Sequence, residues 1–186
     1  MSSFCRGNVG YGGVVILTNI KYKNSVKRFN IEHSAASSFE CCAATLKLCD
    51  FSIQILGVYR APDQFNLDAI FQNLDDTLTK ISKHKTHKRA PVILTTDLNI
   101  ELHVSNTTSD HLIDNTASHN LRLVNTESTR VTHHSNTLID QIVTNIHESY
   151  THFQNIPTGI SDHQGVVLSV SNIEPPHRRE RKQNKR

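Results

Sequence analysis

The order of elements in this chain predicts an α/β (α+β) fold: a four-layer sandwich of two packed mixed β-sheets flanked by helices. Three observations lead there. Short β-rich runs come in antiparallel-looking pairs, helical patterns fall between groups of strands, and no G-x-G-x-x-G or Walker pattern marks a parallel nucleotide-binding sheet. With 186 residues and 37% hydrophobic content, the chain is long enough for one sizeable core. One domain over residues 1–171 is expected, followed by a basic, disordered tail or linker at 172–186.

Taken in order, Val14-Val15-Ile16-Leu17 reads as a buried strand behind a Gly12-Gly13 turn. Alternation from Val26 to Ile31 gives a second, weaker strand. Phe39 to Leu48 and Ile53 to Tyr59 read as a hairpin turning near Asp50. From Asn66 to Ser82, the apolar residues Leu67, Ile70, Phe71, Leu74, Leu78 and Ile81 fall at helical spacing, with Asn66 as N-cap. That helix runs into a basic cluster, Lys80, Lys83, Lys85, Lys88 and Arg89, suited to a helix C-terminus. Pro91 to Thr96 is a buried strand and 109–118 a short helix. Strands follow at 121–124, 138–144 and 165–170.

Charge is unevenly placed. The formal net charge is +3, yet six of the 20 Lys and Arg and two of the 17 Asp and Glu fall in 172–186, so the preceding residues carry 14 basic against 15 acidic groups. The body is nearly neutral, and the tail reads as a linker or a nucleic-acid or nuclear-signal segment. No run approaches the roughly 18 apolar residues of a membrane span, and the N-terminal residues lack a secretory pattern, so an intracellular protein, nuclear or cytoplasmic, with no membrane partner is expected. Cys5, Cys41, Cys42 and Cys49 form no C-x-x-C pair, and adjacent Cys41 and Cys42 point to opposite faces of a strand. Free thiols are expected. His133-His134 and His84-x-x-His87 lack partners at zinc-finger spacing and read as surface residues.

The chemistry-bearing candidates sit at strand ends. Ser161-Asp162-His163 precedes the strand from Gly165, and a carboxylate beside an imidazole on a loop feeding a buried strand suits acid/base or metal chemistry. Two further polar clusters adjoin apolar runs: Thr96-Asp97-Leu98-Asn99 after Val92-Ile93-Leu94, and Thr137-Leu138-Ile139-Asp140 before Ile142-Val143. All three are expected to converge on one site. A second Ser-Asp-His, Ser109-Asp110-His111, opens an amphipathic stretch; there Ser109 reads as an N-cap and Asp110 as a first-turn acid.

Tyr59-Arg60-Ala61-Pro62, Asp97-x-Asn99, Thr129-Arg130, Thr137-Leu138-Ile139-Asp140 and Ser161-Asp162-His163, in that order, resemble the endonuclease/exonuclease/phosphatase family. The phrase Asn125-Thr126-Glu127-Ser128-Thr129-Arg130-Val131-Thr132 is most similar to the endonuclease domain of non-LTR (LINE-type) retrotransposons. The resemblance implies that Asp97 orients or deprotonates the attacking water and that Asn99 donates to the phosphate. It implies further that His163, oriented by Asp140, bonds the scissile phosphate, that Tyr59 contacts phosphate, and that Asp162 lies at a Mg²⁺ (or Mn²⁺) ion. Arg60, Thr129 and Arg130 are candidates for contact with the DNA backbone.

DNA is the implied substrate rather than a small molecule, nicked to leave a 3′-hydroxyl, with room for a reverse transcriptase domain following in a parent protein. Two departures from the family pattern carry their own expectation. The family's Asn-bearing strand and metal-ligand Glu precede the Gly-Gly-Val-Val-Ile-Leu strand, whereas only about ten residues do so here; neither Glu40 nor Glu101 occupies that ligand's place. Thr96 also replaces a family Gly, with loss of a tight backbone approach. An N-terminally truncated domain with weak or no cleavage is therefore expected. The other readings are a non-catalytic nucleic-acid-binding remnant and a phosphoesterase of the same fold acting on another phosphate ester.

Overall fold

The computed structural model describes residues 2–4, 12–31, 39–48, 51–62, 66–83 and 90–171. The basic tail at 172–186, the turn at Asp50, residues 84–89 of the basic cluster, and Cys5 and Cys49 lie outside them.

The strands are β1 (Ser2–Phe4), β2 (Val14–Ile16), β3 (Val26–Phe29), β4 (Glu40–Lys47), β5 (Ser52–Tyr59), β6 (Val92–Asp97), β7 (Arg122–Leu123), β8 (Arg130–Val131), β9 (Asn136–Thr137), β10 (Asp140–Thr144), β11 (Thr151–Ile156) and β12 (Gly165–Val170). The α-helices are α1 (Leu67–Lys83) and α2 (Thr107–Ser118). A six-stranded mixed sheet runs β3-β4-β5-β6-β10-β7. β3, β4 and β5 pair antiparallel, β5 and β6 parallel, and β10 lies antiparallel between β6 and β7. A parallel pair cannot be closed by a tight turn; α1 supplies the crossover.

Pleating sends alternate side chains to opposite faces. On one face Cys41, Ala43, Leu56, Val58, Leu94 and Val143 meet Ile70, Phe71, Leu74, Leu78 and Ile81 of α1, with Leu112 of α2. Each such aliphatic side chain, fully buried, contributes about 1.5–3 kcal/mol. The predicted helical stripe is thus the core face of α1, and the Asn66 side chain accepts from the Ala69 N–H at 3.1 Å, as a cap should. On the opposite face the ladders β1–β2 and β11–β12 pack as the second layer of strands.

Several boundaries differ from the sequence reading. The second helix starts at Thr107, and its cap is Asn106 in a capping box; Ser109 is the N3 partner, accepting from the Asn106 N–H at 2.8 Å while its hydroxyl lies 2.9 Å from the Asn106 carbonyl and 3.1 Å from the Val104 carbonyl. β3 ends at Phe29 and β7 covers only Arg122–Leu123. β2 is not a buried strand throughout, since Val15 is 52% and Leu17 71% exposed: with the main sheet beneath only one side, its alternate residues face outward. β11 had no apolar run to announce it; Thr151, Phe153 and Asn155 are half-buried and the residues between them exposed. Cys41 and Cys42 are buried and form no disulfide among the described residues.

At Gly57 the two layers approach closely. A Cβ at this position would come within 2.7 Å of Val14 Cγ1, and valine has little rotamer freedom with which to yield. Gly57→Ala is expected to cost about 1–3 kcal/mol by overpacking. Urea unfolding of Gly57→Ala, Val14→Ala and the double variant checks this, with the double variant recovering most of the loss.

Candidate active site

Cross-strand register assembles the site. Glu40 pairs with Tyr59, Tyr59 with Asp97, and Asp97 with Asp140, in one row across β4, β5, β6 and β10. Directly paired residues project to the same face, here the one turned away from the helices. A cavity of about 360 Å³ opens beside the row, lined by Tyr59, Asp97 and Asp140 below and by Gly13, Val14, Gln164 and Val166 of the second layer. The loop before β12 carries His163, whose Nδ1 lies 2.9 Å from Asp140 Oδ2 and 3.1 Å from Oδ1. That contact fixes the ring and leaves Nε2 as the nitrogen for a ligand.

Two buried side chains hold the Asp140 backbone. Next to the first residues of β10, where β7 does not reach, the Thr129 hydroxyl accepts from the Asp140 N–H at 2.9 Å and the Ile139 N–H at 3.2 Å. Asn125 donates to the Asp140 carbonyl at 2.8 Å and accepts from the Ile142 N–H at 2.7 Å. Both residues are 0% exposed. Together they do what a neighbouring strand would do. Thr129 also fastens the other half of the pair, because its carbonyl accepts from the Gln164 N–H beside His163.

Asp97 is the electrostatic centre. Burial first, and then the Asp140 charge, push its carboxyl up to about 6, against the opposing pull of His163, the Asn99 N–H and Arg130. Its Oδ1 is buried with no hydrogen-bond partner, which is costly for a carboxylate. Donor atoms of Asp97, Asp140 and His163 all lie within 4.8 Å of one another. Two carboxylates supply the hard oxygens that Mg²⁺ or Mn²⁺ prefers, and an orphaned buried oxygen is a donor in want of a cation. The trio fits a divalent ion.

The remaining candidates divide. Asn99 leaves the strand with φ 53°, so it does not lie on an extended segment with Asp97. Its amide donates to the Arg60 carbonyl at 2.9 Å while the Arg60 guanidinium donates to the Asn99 and Leu98 carbonyls. Arg60 is only 7% exposed and Thr129 fully buried. Both were expected at the DNA backbone; here their polar groups are turned inward and brace the β6 exit and the start of β10. Arg130 is exposed, and its Nε pairs with Asp162 Oδ2 at 2.6 Å, which holds the Asp162 carboxyl below its usual range. Asp162 therefore stands outside the Asp97, Asp140 and His163 trio. Ser161 Oγ accepts from the His163 N–H at 3.1 Å and shapes the loop.

Thr96, in the place of a family Gly, donates to Gln141 Oε1 at 2.6 Å. Glu40 accepts from the Gly13 N–H at 2.7 Å, and Glu101 from the Leu138 N–H at 3.1 Å, so both carboxylates serve the backbone. Asn125 escaped the sequence reading as a site residue. Only its full burial opposite Asp140 exposes its part, and a lone Asn after a short strand gives no such signal.

A mixed sheet whose strand ends converge on carboxylates and an imidazole defines a protein of the endonuclease/exonuclease/phosphatase class. The chain belongs to this family, in the branch whose family model, described as endonuclease-reverse transcriptase, matches residues 53–167. Among solved structures it is similar to the endonuclease domain of TRAS1, a telomere-specific non-LTR retrotransposon, with TM-score 0.58, 13% identity, and coverage of 72% of this chain and 64% of that one. It is similar also to the human Nocturnin catalytic domain with bound sulfate (TM-score 0.56, 19% identity, 80% and 60% covered). The third is D. rerio TDP2 complexed with a single-strand DNA product (TM-score 0.52, 14% identity, 81% and 70% covered). This chain thus spans about two thirds of the length of such structures. A search of curated proteins found no match. Among the described residues no helix is long and apolar enough to cross a membrane.

Two expectations follow from the geometry. Thr129→Val strands two backbone N–H groups and should cost about 2 kcal/mol or more of stability, whereas Thr129→Ser keeps the acceptor and should cost far less; chemical denaturation of both variants checks this. The form of Asp97 that can take a cation or a proton is the carboxylate. Mn²⁺ affinity should therefore fall as pH drops through about 6, and the step should vanish in Asp97→Asn, as read by calorimetric titration across that range.

Proposed function

We propose that this chain is a phosphodiester hydrolase domain dependent on a divalent cation, Mg²⁺ or Mn²⁺, whose substrate is DNA and whose reaction is strand nicking. The observation that supports this best is the Asp97, Asp140 and His163 cluster, with the buried, unsatisfied Asp97 Oδ1 at its centre. A divalent ion held there would neutralise charge gathering on the phosphoryl oxygens.

The residues divide the remaining work. Asp97 accepts the proton of an attacking water; a carboxyl raised to about 6 is a better base than an ordinary aspartate yet still ionised at neutral pH. Asp140 holds the His163 ring by its Nδ1 so that Nε2 faces a phosphate oxygen. Tyr59, beside Asp97 in the row, offers its phenol to the same phosphate. Asn99 contributes through the amide hydrogen not given to Arg60. Arg130 is the exposed cation at the rim and meets the DNA backbone. A retrotransposon setting, with a reverse transcriptase following in the parent protein, fits the family branch.

A second reading, hydrolysis of a small phosphate ester, is favoured by the cavity beside the row, since about 360 Å³ admits a small ligand. Supercoiled plasmid incubated with Mg²⁺ or with EDTA separates the two. Nicking, weak for want of the family's metal-ligand Glu, is expected with Mg²⁺ and not with EDTA, and Asp97→Ala and His163→Ala should each lower what remains by about a hundredfold or more. Absence of nicking together with release of phosphate from nucleotide or sugar phosphates would establish the second reading instead.

A further inference from the structure

We propose that the Arg130–Asp162 ion pair is a latch through which phosphate binding and divalent-cation binding assist one another. The inference rests on the proposed cation-dependent reading of the Asp97, Asp140 and His163 cluster, and concerns a contact outside it.

The pair is built into the same piece of chain as the site. Arg130 opens β8 and forms a β-bridge with His163, while the Val131 N–H donates to the Asp162 carbonyl at 2.9 Å. Backbone bonds therefore fix both partners beside the cluster, and their side chains meet in solvent, 44% and 40% exposed. The guanidinium charge reaches more than Asp162, for it acts on the half-buried Asp97 carboxylate too. An arginine in that place is a fixed cation facing the carboxylates that a metal ion would need.

Two cations compete for one set of anions. While Arg130 is turned to the cluster, it engages Asp162 and opposes entry of a divalent ion by like-charge repulsion. A phosphate group is the ligand best able to draw it off, because guanidinium binds phosphate in the same forked geometry as carboxylate. Engagement of Arg130 by a DNA phosphate then removes the competing charge and releases the Asp162 carboxylate to add its negative charge to the cluster. Reciprocity requires the converse: a bound divalent ion attracts Asp162, frees Arg130 and tightens phosphate binding by the same factor.

The test is Mn²⁺ affinity of the full chain, measured by electron paramagnetic resonance with and without a short phosphorothioate oligonucleotide. Wild type is expected to bind Mn²⁺ more tightly when the oligonucleotide is present. Arg130→Gln should bind Mn²⁺ roughly two- to fivefold more tightly than wild type without oligonucleotide, a range set by the modest strength of exposed ion pairs. It should also lose most of the oligonucleotide effect. Asp162→Asn breaks the same pair yet should move the other way, with weaker Mn²⁺ binding and stronger metal-free oligonucleotide binding. Opposite signs from two variants that break one contact are the signature of a latch. Should the pair serve only to shape the loop, both variants would weaken Mn²⁺ binding, and the latch is overturned. It is overturned equally if Arg130→Gln binds Mn²⁺ as wild type does, with the cation site itself intact. Failure of wild type and both variants to bind Mn²⁺ at all would instead overturn the cation-dependent reading, and the latch with it.

Discussion

The pairing of Asp97 with Asp140 across β6 and β10 is the constraint from which the site follows. Two aspartates set directly opposite in a ladder repel, and one of them, half-buried, has a buried oxygen that meets no donor. A sheet tolerates this only where its backbone is firmly held. The β10 end of the pair is held by Thr129 and Asn125, whose side chains bond four backbone groups between Ile139 and Ile142. Stability spent on that brace keeps two like charges together, a common physical design for binding a cation or moving a proton.

The same economy runs through the surrounding polar groups. Arg60 and Asn99 clasp one another so that the chain leaves β6 immediately after Asp97 in a conformation few residues adopt. Glu40, buried in the row beside Tyr59, bonds the Gly13 turn and sets the second layer against the main sheet. Each group binds backbone rather than solvent, as buried polar groups must. Asp97 Oδ1, His163 Nε2 and the cavity wall, to which Tyr59 belongs, are left for a ligand among the described residues of the site.

The parts legible in the sequence were those with a period or a local partner. The α1 stripe, its Asn66 cap, the β4–β5 hairpin and the strands before Asp97 and after Gln164 all follow from short-range pattern. So did the separation of the two Ser-Asp-His copies, since only one precedes a strand; the other lies in the first turn of α2, although Asn106 rather than Ser109 caps it. The convergence of Asp97, Asp140 and His163 could be expected from their places at strand ends. The ladder β8–β9 and the strand β11 could not, because two to six residues without an apolar run carry too little signal against a loop.

Sequence by itself determined the residue types available for chemistry, the single core and the order of elements that delivers three polar strand ends to one edge, because period and spacing are local properties of a chain. Tertiary structure alone decided what each polar side chain faces. Thr129 and Arg60, plausible phosphate contacts by type, are turned inward, and Asp162 is taken by Arg130 instead of joining the trio. Hydrogen-bond partners separated by tens of residues depend on register and burial, and neither quantity exists until the sheet has closed.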